Sequence, residues 1–239
     1  MDIRRYSENA LTIYIGEDID ETVNRQLVSL KHEIESREIQ GIEEIVISYT
    51  SLIIYYDLFG TDAGEIEAAV KDIDTESLLD GTFEYRTVEI PVCYGGEYGP
   101  DIETFEENGL SADEVIERHS GKEYLVYMLG FMPGFPYLGG LDEKLHKARL
   151  DTPRVRIPAG SVGIGGRQTG MYPFESPGGW NLLGRTPVPL FDAKREEPIL
   201  YQAGDRILYR PIDEAEYEAI AQQAAAGEYE VKYEMRSEG

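Results

Sequence analysis

Apolar residues recur along this chain at two periods, and the switches between them mark out its elements. Leu11, Ile13 and Ile15 alternate with other positions, the period of a half-buried strand. Ile19, Val23, Leu27, Leu30 and Ile34 then follow at helical spacing, with Asp18 or Asp20 placed to cap the helix. Glu44–Tyr49 and Leu52–Tyr56 read as two strands joined at Thr50-Ser51, and Ile66, Ala69, Val70 and Ile73 as a second helix. With a strand near Thr82–Arg86, the order β-α-β-β-α-β predicts a split βαβ unit of the ferredoxin-like kind.

The pattern then changes. Val88, Ile90 and Val92 share one face of a strand over Thr87–Tyr94, and a helical patch lies near Asp101–Glu107. Ser111 and Glu114 have capping-box spacing for a helix through His119, stopped by Gly121. Glu123–Phe131 is apolar on both faces, as a buried strand would be. Short strands broken by turns follow at Val155–Ile157, Ser161–Ile164, Ile199–Gln202 and Arg206–Arg210, which predicts a barrel or sandwich. A last helix starts near Asp213, and Tyr229–Met235 reads as a closing strand.

Composition narrows the class. The 239 residues are 41% hydrophobic with 17 tyrosines, enough for two folded domains. No run approaches the length of a membrane helix, and MDIRRYSENAL lacks the apolar core of a signal peptide. The single cysteine, Cys93, fits a reducing cytoplasm. A net charge of −24 argues against nucleic-acid or anionic-membrane partners. An acid-rich, Lys-poor surface suits either a halophilic host or an ordinary acidic protein.

One stretch departs from that acidity. Thr152–Phe191 carries Arg154, Arg156, Arg167 and Arg185 against Glu175 alone, a net charge of +3. Eight of the 25 glycines lie between Gly160 and Gly184, and six of the 12 prolines between Pro153 and Pro189. Two readings stand: a loop-built pocket for an anion, or a turn-rich barrel with ordinary surface arginines. A P-loop is excluded, because Met171 stands where its lysine belongs, and the dinucleotide fingerprint fails at Gln168. The three histidines have no metal-ligand spacing, so no metal site is expected. His119 reads mainly as a residue ending a helix. Phe131, Phe135, Tyr137 and Trp180 sit between glycines and prolines, as either pocket wall or core.

GFMPGFPYLGGL (130–141), TPRVRIPAGSVGIGGRQTGMYP (152–173) and SPGGWNLLGRTP (176–187) closely resemble the KipI / allophanate hydrolase subunit 1 family. EIPVCYGGEYGPD (89–101), HSGKEYLVYMLGF (119–131) and AGDRILYRPI (203–212) extend the likeness over nearly the whole chain. This is the carboxyltransferase C/D-subdomain family, whose bacterial members include the B subunit of ATP-dependent 5-oxoprolinase. The resemblance implies an α+β fold, with a ferredoxin-like domain over residues 1–84 and a cyclophilin-like β-barrel over 85–239. It implies two partner proteins, one of the C type (allophanate hydrolase subunit 2-like) and one of the A type (LamB/YcsF-like). It further implies ATP, with Mg, at a site shared with or held by those partners; with no Met-Lys biotin-carrier motif, no biotin is expected on this chain. The alternatives it carries are a KipI-like inhibitor of a sensor histidine kinase and a urea carboxylase or allophanate hydrolase-type component.

The chemistry of opening 5-oxoproline calls for cations that grip a carboxylate, which suits Arg better than Lys. Arg156 and Arg185 are the first candidates, then Arg167. Gln168, Thr169, Tyr172, Ser176 and Asn181 are candidate hydrogen-bonding groups. For each arginine the competing reading is a surface ion pair with one of the 46 acids. No residue is singled out as the acid or base.

Overall fold

The computed structural model describes residues 1–238, and the chain divides into two compact units, Met1–Glu84 and Tyr85–Arg236, with the extreme C-terminus from Ser237 grouped with the first. No helix among the described residues is long and apolar enough to cross a membrane.

The first unit holds β1 (Asp2–Ser7), β2 (Ala10–Tyr14), α1 (Glu21–Ser36), β3 (Ile42–Ile47), β4 (Ser51–Tyr56) and α2 (Ala63–Val70). Asp20 caps α1, accepting from the Val23 amide at 2.9 Å, and Asp62 caps α2. Leu27, Leu30 and Ile34 of α1 and Ile66 and Val70 of α2 are buried, as are Leu11, Ile13, Leu52 and Ile54 of the sheet. The sheet runs β1-β2-β4-β3 and is antiparallel throughout. One of its edges belongs to β1. The predicted strand at Thr82–Arg86 does not join it. That segment and Thr87–Tyr94 form one strand, β5 (Phe83–Tyr94), which belongs to the second unit's sheet. β1 escaped the sequence pattern because an exposed edge strand needs no apolar face.

The second unit is a closed seven-stranded barrel. Its strands are β5, β6 (Glu123–Leu129), β7 (Pro136–Leu138), β9 (Ser161–Gly165), β10 (Gln168–Met171), β12 (Asn181–Arg185) and β13 (Arg206–Ile212), and they follow the order β12-β9-β10-β7-β6-β13-β5. Pairing of β12 with β5, Arg185 opposite Cys93, closes the ring. All barrel pairs are antiparallel except β13 with β5. The last strand, β14 (Tyr233–Glu238), flanks β5 outside the ring. A separate ribbon of β8 (Arg154–Ile157) and β11 (Ser176–Gly178) stands apart from the barrel sheet.

Val88, Ile90 and Val92, Val126, Val162 and Ile164, Leu183 and Ile207 fill the interior with their strands' inward positions. The turn Ile102–Asn108 and α3 (Ala112–Ser120) add Phe105 and Val115 to this core. The expected capping box of α3 is present, with Ser111 and Glu114 exchanging hydrogen bonds. α4 (Glu214–Ala226), capped by Asp213, brings Ile220 to an outer cluster with Cys93, Tyr98, Val188 and Ile212. Ile199–Gln202 forms no strand and contributes only a bridge between Ile199 and Phe191.

Candidate functional site

The glycine- and arginine-rich stretch supplies three barrel strands, β9, β10 and β12, whose Val162, Ile164, Met171 and Leu183 point inward, while its ribbon and loops cover the outer flank. Trp180, immediately before β12, lies across the outward face of the β9–β10 hairpin. A Cβ at Gly165 would strike its indole, and one at Gly170 would come within 3.1 Å of it. These two glycines therefore let a tryptophan lie flat against two strands. Phe135 and Tyr172 pack edge-on to it, with ring centroids 5.7 and 6.1 Å away. Ile157 and Leu182 complete the cluster, with Tyr137 half-buried against it. Of the predicted wall aromatics, Phe135 and Trp180 thus fill space. Phe131 alone faces outward, 71% exposed, with its ring 5.6 Å from Phe135 and its backbone at φ +63°.

At the edge of this cluster the segment Gly178-Gly179-Trp180 gathers polar groups. Tyr172 Oη would lie 2.6 Å from a Cβ at Gly178, so the phenol presses directly on a bare backbone. Arg154 donates to the Trp180 carbonyl at 3.3 Å and to Asp101 Oδ1 at 2.6 Å. Asp101, itself buried, accepts from the Leu182 amide through its other oxygen at 2.6 Å. That carboxylate ties the loop before the Ile102–Asn108 turn to β12 and fixes the direction of the Arg154 fork. The Leu150 amide donates to the Gly179 carbonyl at 2.7 Å, which brings exposed Arg149 alongside. Burial pushes the Tyr172 hydroxyl pKa up; Arg149, the Trp180 amide and Arg154 pull against it. The phenol therefore stays protonated, a donor beside two guanidinium groups.

The remaining candidates are placed elsewhere. Arg156 is exposed and pairs with Glu175 at 2.6 Å. Arg185 lies over the Tyr98 ring, 5.5 Å from its centroid, with a long contact of 3.4 Å to the Glu97 carbonyl and a hydrogen bond to Tyr217. Its Nε is buried without a hydrogen-bond partner. Arg167 is exposed on the β9–β10 turn, and Gln168 opens β10 half-buried. Asn181 is buried and spends its amide on the Ala148 and Ile164 carbonyls, at 2.9 and 3.2 Å, which is a structural duty. Ser176 is half-buried on β11, and its hydroxyl has no hydrogen-bond partner among the described residues. The three arginines expected to converge therefore occupy three separate surroundings. Arg149 and Arg154 are the ones whose charge acts on the Tyr172 hydroxyl.

His119 is the other departure. It lies in the last turn of α3, as the sequence predicts, but it is fully buried inside the barrel. Its ring stacks on Tyr209 with centroids 4.6 Å apart. Thr169 Oγ1 donates to the Gly163 carbonyl at 3.1 Å, so it accepts from His119 Nε2 at 2.7 Å. Nδ1 is then the acceptor for Tyr94 Oη at 2.8 Å. Burial lowers the imidazole pKa to about 3, which keeps it neutral. Thr169, a candidate ligand donor on sequence, is consumed by this chain. The helix-end position of His119 concealed it, because the last turn of α3 points into the core.

The family model for the carboxyltransferase domain, subdomains C and D, matches residues 1–201. The chain is 41% identical over 234 residues to the 5-oxoprolinase B subunit of Bacillus subtilis (strain 168), covering 93% of this chain and 97% of that protein. It is 54% identical over 132 residues to the 5-oxoprolinase B subunit of Escherichia coli O157:H7, covering 55% of this chain and 61% of that one. The crystal structure of TTHA0988 in space group P212121 matches with a TM-score of 0.75 and 35% identity over 89% of this chain. This chain spans 41% of the TTHA0988 chain, so that protein carries substantial further sequence.

Proposed function

Because this chain belongs to the carboxyltransferase subdomain C and D family, we propose that it serves as the B subunit of an ATP-dependent 5-oxoprolinase, opening 5-oxo-L-proline to L-glutamate. The observation that carries this reading is the likeness to the Bacillus subtilis protein along almost the full length of both chains. A lactam resists water because its C–N bond is resonance-stabilised. Transfer of the γ-phosphoryl group of ATP to the lactam oxygen removes that resonance and releases ADP. Water then adds to the carbon, the ring nitrogen leaves with a proton, and a second water frees phosphate from the resulting acyl phosphate. The chain supplies one wall of the site and is inactive alone. Partners of the C and A types complete it, and ATP with Mg binds at a site shared with or held by them. No biotin is carried on this chain, and the assembly works in the cytoplasm.

Two fold assignments belong to the same proposal. The barrel is of the cyclophilin-like kind. The first unit is a ferredoxin-like sheet whose outer position is taken by the N-terminal strand β1 in place of a strand following α2. The test is reconstitution: the purified chain is mixed with its C-type and A-type partners, and 5-oxoproline-dependent ATP hydrolysis and glutamate release are measured. Turnover is expected only when all three are present. Its absence from the complete mixture refutes the assignment.

A further inference from the structure

Resting on that reading, we propose that Arg149, Arg154 and Tyr172 Oη, arranged around Gly178-Gly179, form the subsite for the substrate's carboxylate. Three observations converge on it. First, the guanidinium of Arg149 is exposed and has no carboxylate within ion-pair distance among the described residues. Exposed Arg167 shares that lack, but it sits on the β9–β10 turn, whereas Arg149 borders Gly179. Arg86, Arg118, Arg156, Arg210 and Arg236 all meet acids. Second, Arg154 is aimed by its own buried acid. Asp101 holds Nη2, so the fork lies along the Trp180 carbonyl instead of swinging into solvent. Third, Tyr172 is buried, yet its hydroxyl hydrogen is given to no acceptor among the described residues. A phenol that keeps its proton and lacks an acceptor is a donor waiting for an anion.

The bare backbone makes the approach possible. Gly178 lets the phenol sit against the chain, since a Cβ there would meet Tyr172 Oη at 2.6 Å and Ile157 Cδ1 at 2.7 Å. Gly179 is different: a Cβ there would have its nearest neighbours at 3.5 to 3.8 Å, namely the Leu150 carbonyl, Arg149 Cβ and Pro153 Cβ. A methyl at Gly179 would therefore fit at ordinary van der Waals distance, with Arg149 Cβ bordering it and the exposed Arg149 side chain extending from there. A planar carboxylate there takes its charge partner from Arg149 and a hydrogen bond from Tyr172. Asp101 already neutralises Arg154, whose part is to orient.

Trp180 provides the readout, because it is the only tryptophan and its ring lies 6.1 Å from that of Tyr172. The isolated chain is titrated with 5-oxoproline, and in parallel with 2-pyrrolidinone, the same ring without the carboxylate, while Trp180 emission is followed. A saturable change is expected with 5-oxoproline only. Arg149→Ala should weaken it at least tenfold, and Tyr172→Phe severalfold. Gly179→Ala should also weaken it, because its methyl fits the fold but occupies the space. Thermal midpoints of Arg149→Ala and Gly179→Ala should match the parent, so a folding defect is not mistaken for lost binding. No saturable response to 5-oxoproline, or one that Arg149→Ala leaves unchanged, overturns the subsite. Neither result depends on the three-component turnover assay, so failure of the subsite and failure of the oxoprolinase assignment are separately visible.

Discussion

Inside the barrel, His119 stacks on Tyr209, and both its ring nitrogens are taken by Tyr94 and Thr169. On the flank, Tyr172 packs among Phe135 and Trp180 in a comparable aromatic cluster, but its hydroxyl faces glycine backbone and two arginines. The first arrangement passes each proton along a closed chain that ends on the Gly163 carbonyl. The second leaves a donor and a charge unused. Buried polar groups that satisfy one another specify a core. Those left unsatisfied at an exposed edge are the ones able to take a ligand. On the proposed subsite the seven-stranded ring is scaffold, and recognition lies on the outer flank that the arginine- and glycine-rich sequence builds around its own three barrel strands.

The sharpest way to break this contrast is to delete the imidazole. His119→Ala leaves a cavity and strips partners from two buried hydroxyls, those of Tyr94 and Thr169. A loss of about 3–5 kcal/mol is expected in urea unfolding. At a temperature where the variant remains folded, 5-oxoproline binding by Trp180 emission should persist. A binding defect as large as that of Arg149→Ala would show that interior and flank are not separate.

Asp101 stands between the two regions, and its replacement tests both at once. Asp101→Asn keeps the shape but sets an NH2 against either the Leu182 amide or Arg154, since both carboxylate oxygens accept at 2.6 Å. Stability should fall by about 2–4 kcal/mol, between the cost of one unsatisfied buried donor and that of breaking a fully buried pair, since Arg154 is partly exposed. Carboxylate binding should weaken with it, because the Arg154 fork loses its anchor. Stability loss with unchanged affinity would assign Asp101 to the fold alone.

The overall order of elements was legible in the sequence because it rests on period: α1, α2, the capping box of α3 and the strands at 42–56 follow from apolar spacing and cap residues. What was not legible depends on contacts between distant positions. β1 is polar because an edge strand has no face to bury. Phe83–Tyr94 reads as two strands because its first half is half-exposed and its second half buried, although it is a single strand. Arg149 lies 23 positions from Tyr172 and joins it only through the Leu150–Gly179 hydrogen bond, which composition cannot foresee. Arg156 stands out on sequence because it belongs to a dense motif, but in the structure its guanidinium is exposed and pairs with Glu175, two residues along β8 from Arg154.

Acid pH gives a smaller, graded test of the interior. The folded imidazole pKa is depressed to about 3 against an ordinary 6.5. Below pH 6.5 the unfolded chain therefore binds a proton that the folded chain refuses, and stability falls as pH falls. The slope is about 1.4 kcal/mol per pH unit, or about 2 kcal/mol between pH 6.5 and 5. Urea unfolding of the parent and of His119→Gln across pH 5–7 should show this slope in the parent and its loss in the variant. Equal slopes would mean that other groups carry the acid sensitivity.

The least effect should come from Arg156→Ala, and that near-silence carries information. Arg156 and Arg149 are both exposed arginines of the same flank, but they differ in what they already touch. The Arg156–Glu175 pair has side chains 75% and 50% exposed, where solvent screening leaves an ion pair worth at most about 0.5–1 kcal/mol. Removing Arg156 also frees Glu175, which adds negative charge near the cradle without entering it. Urea midpoints should therefore move little, and 5-oxoproline affinity should change less than twofold, against the tenfold loss expected for Arg149→Ala. If the two variants weaken binding equally, the flank acts through its summed charge. If only Arg149 matters, it acts as a site with a defined geometry, and the unpaired arginine rather than the motif marks it.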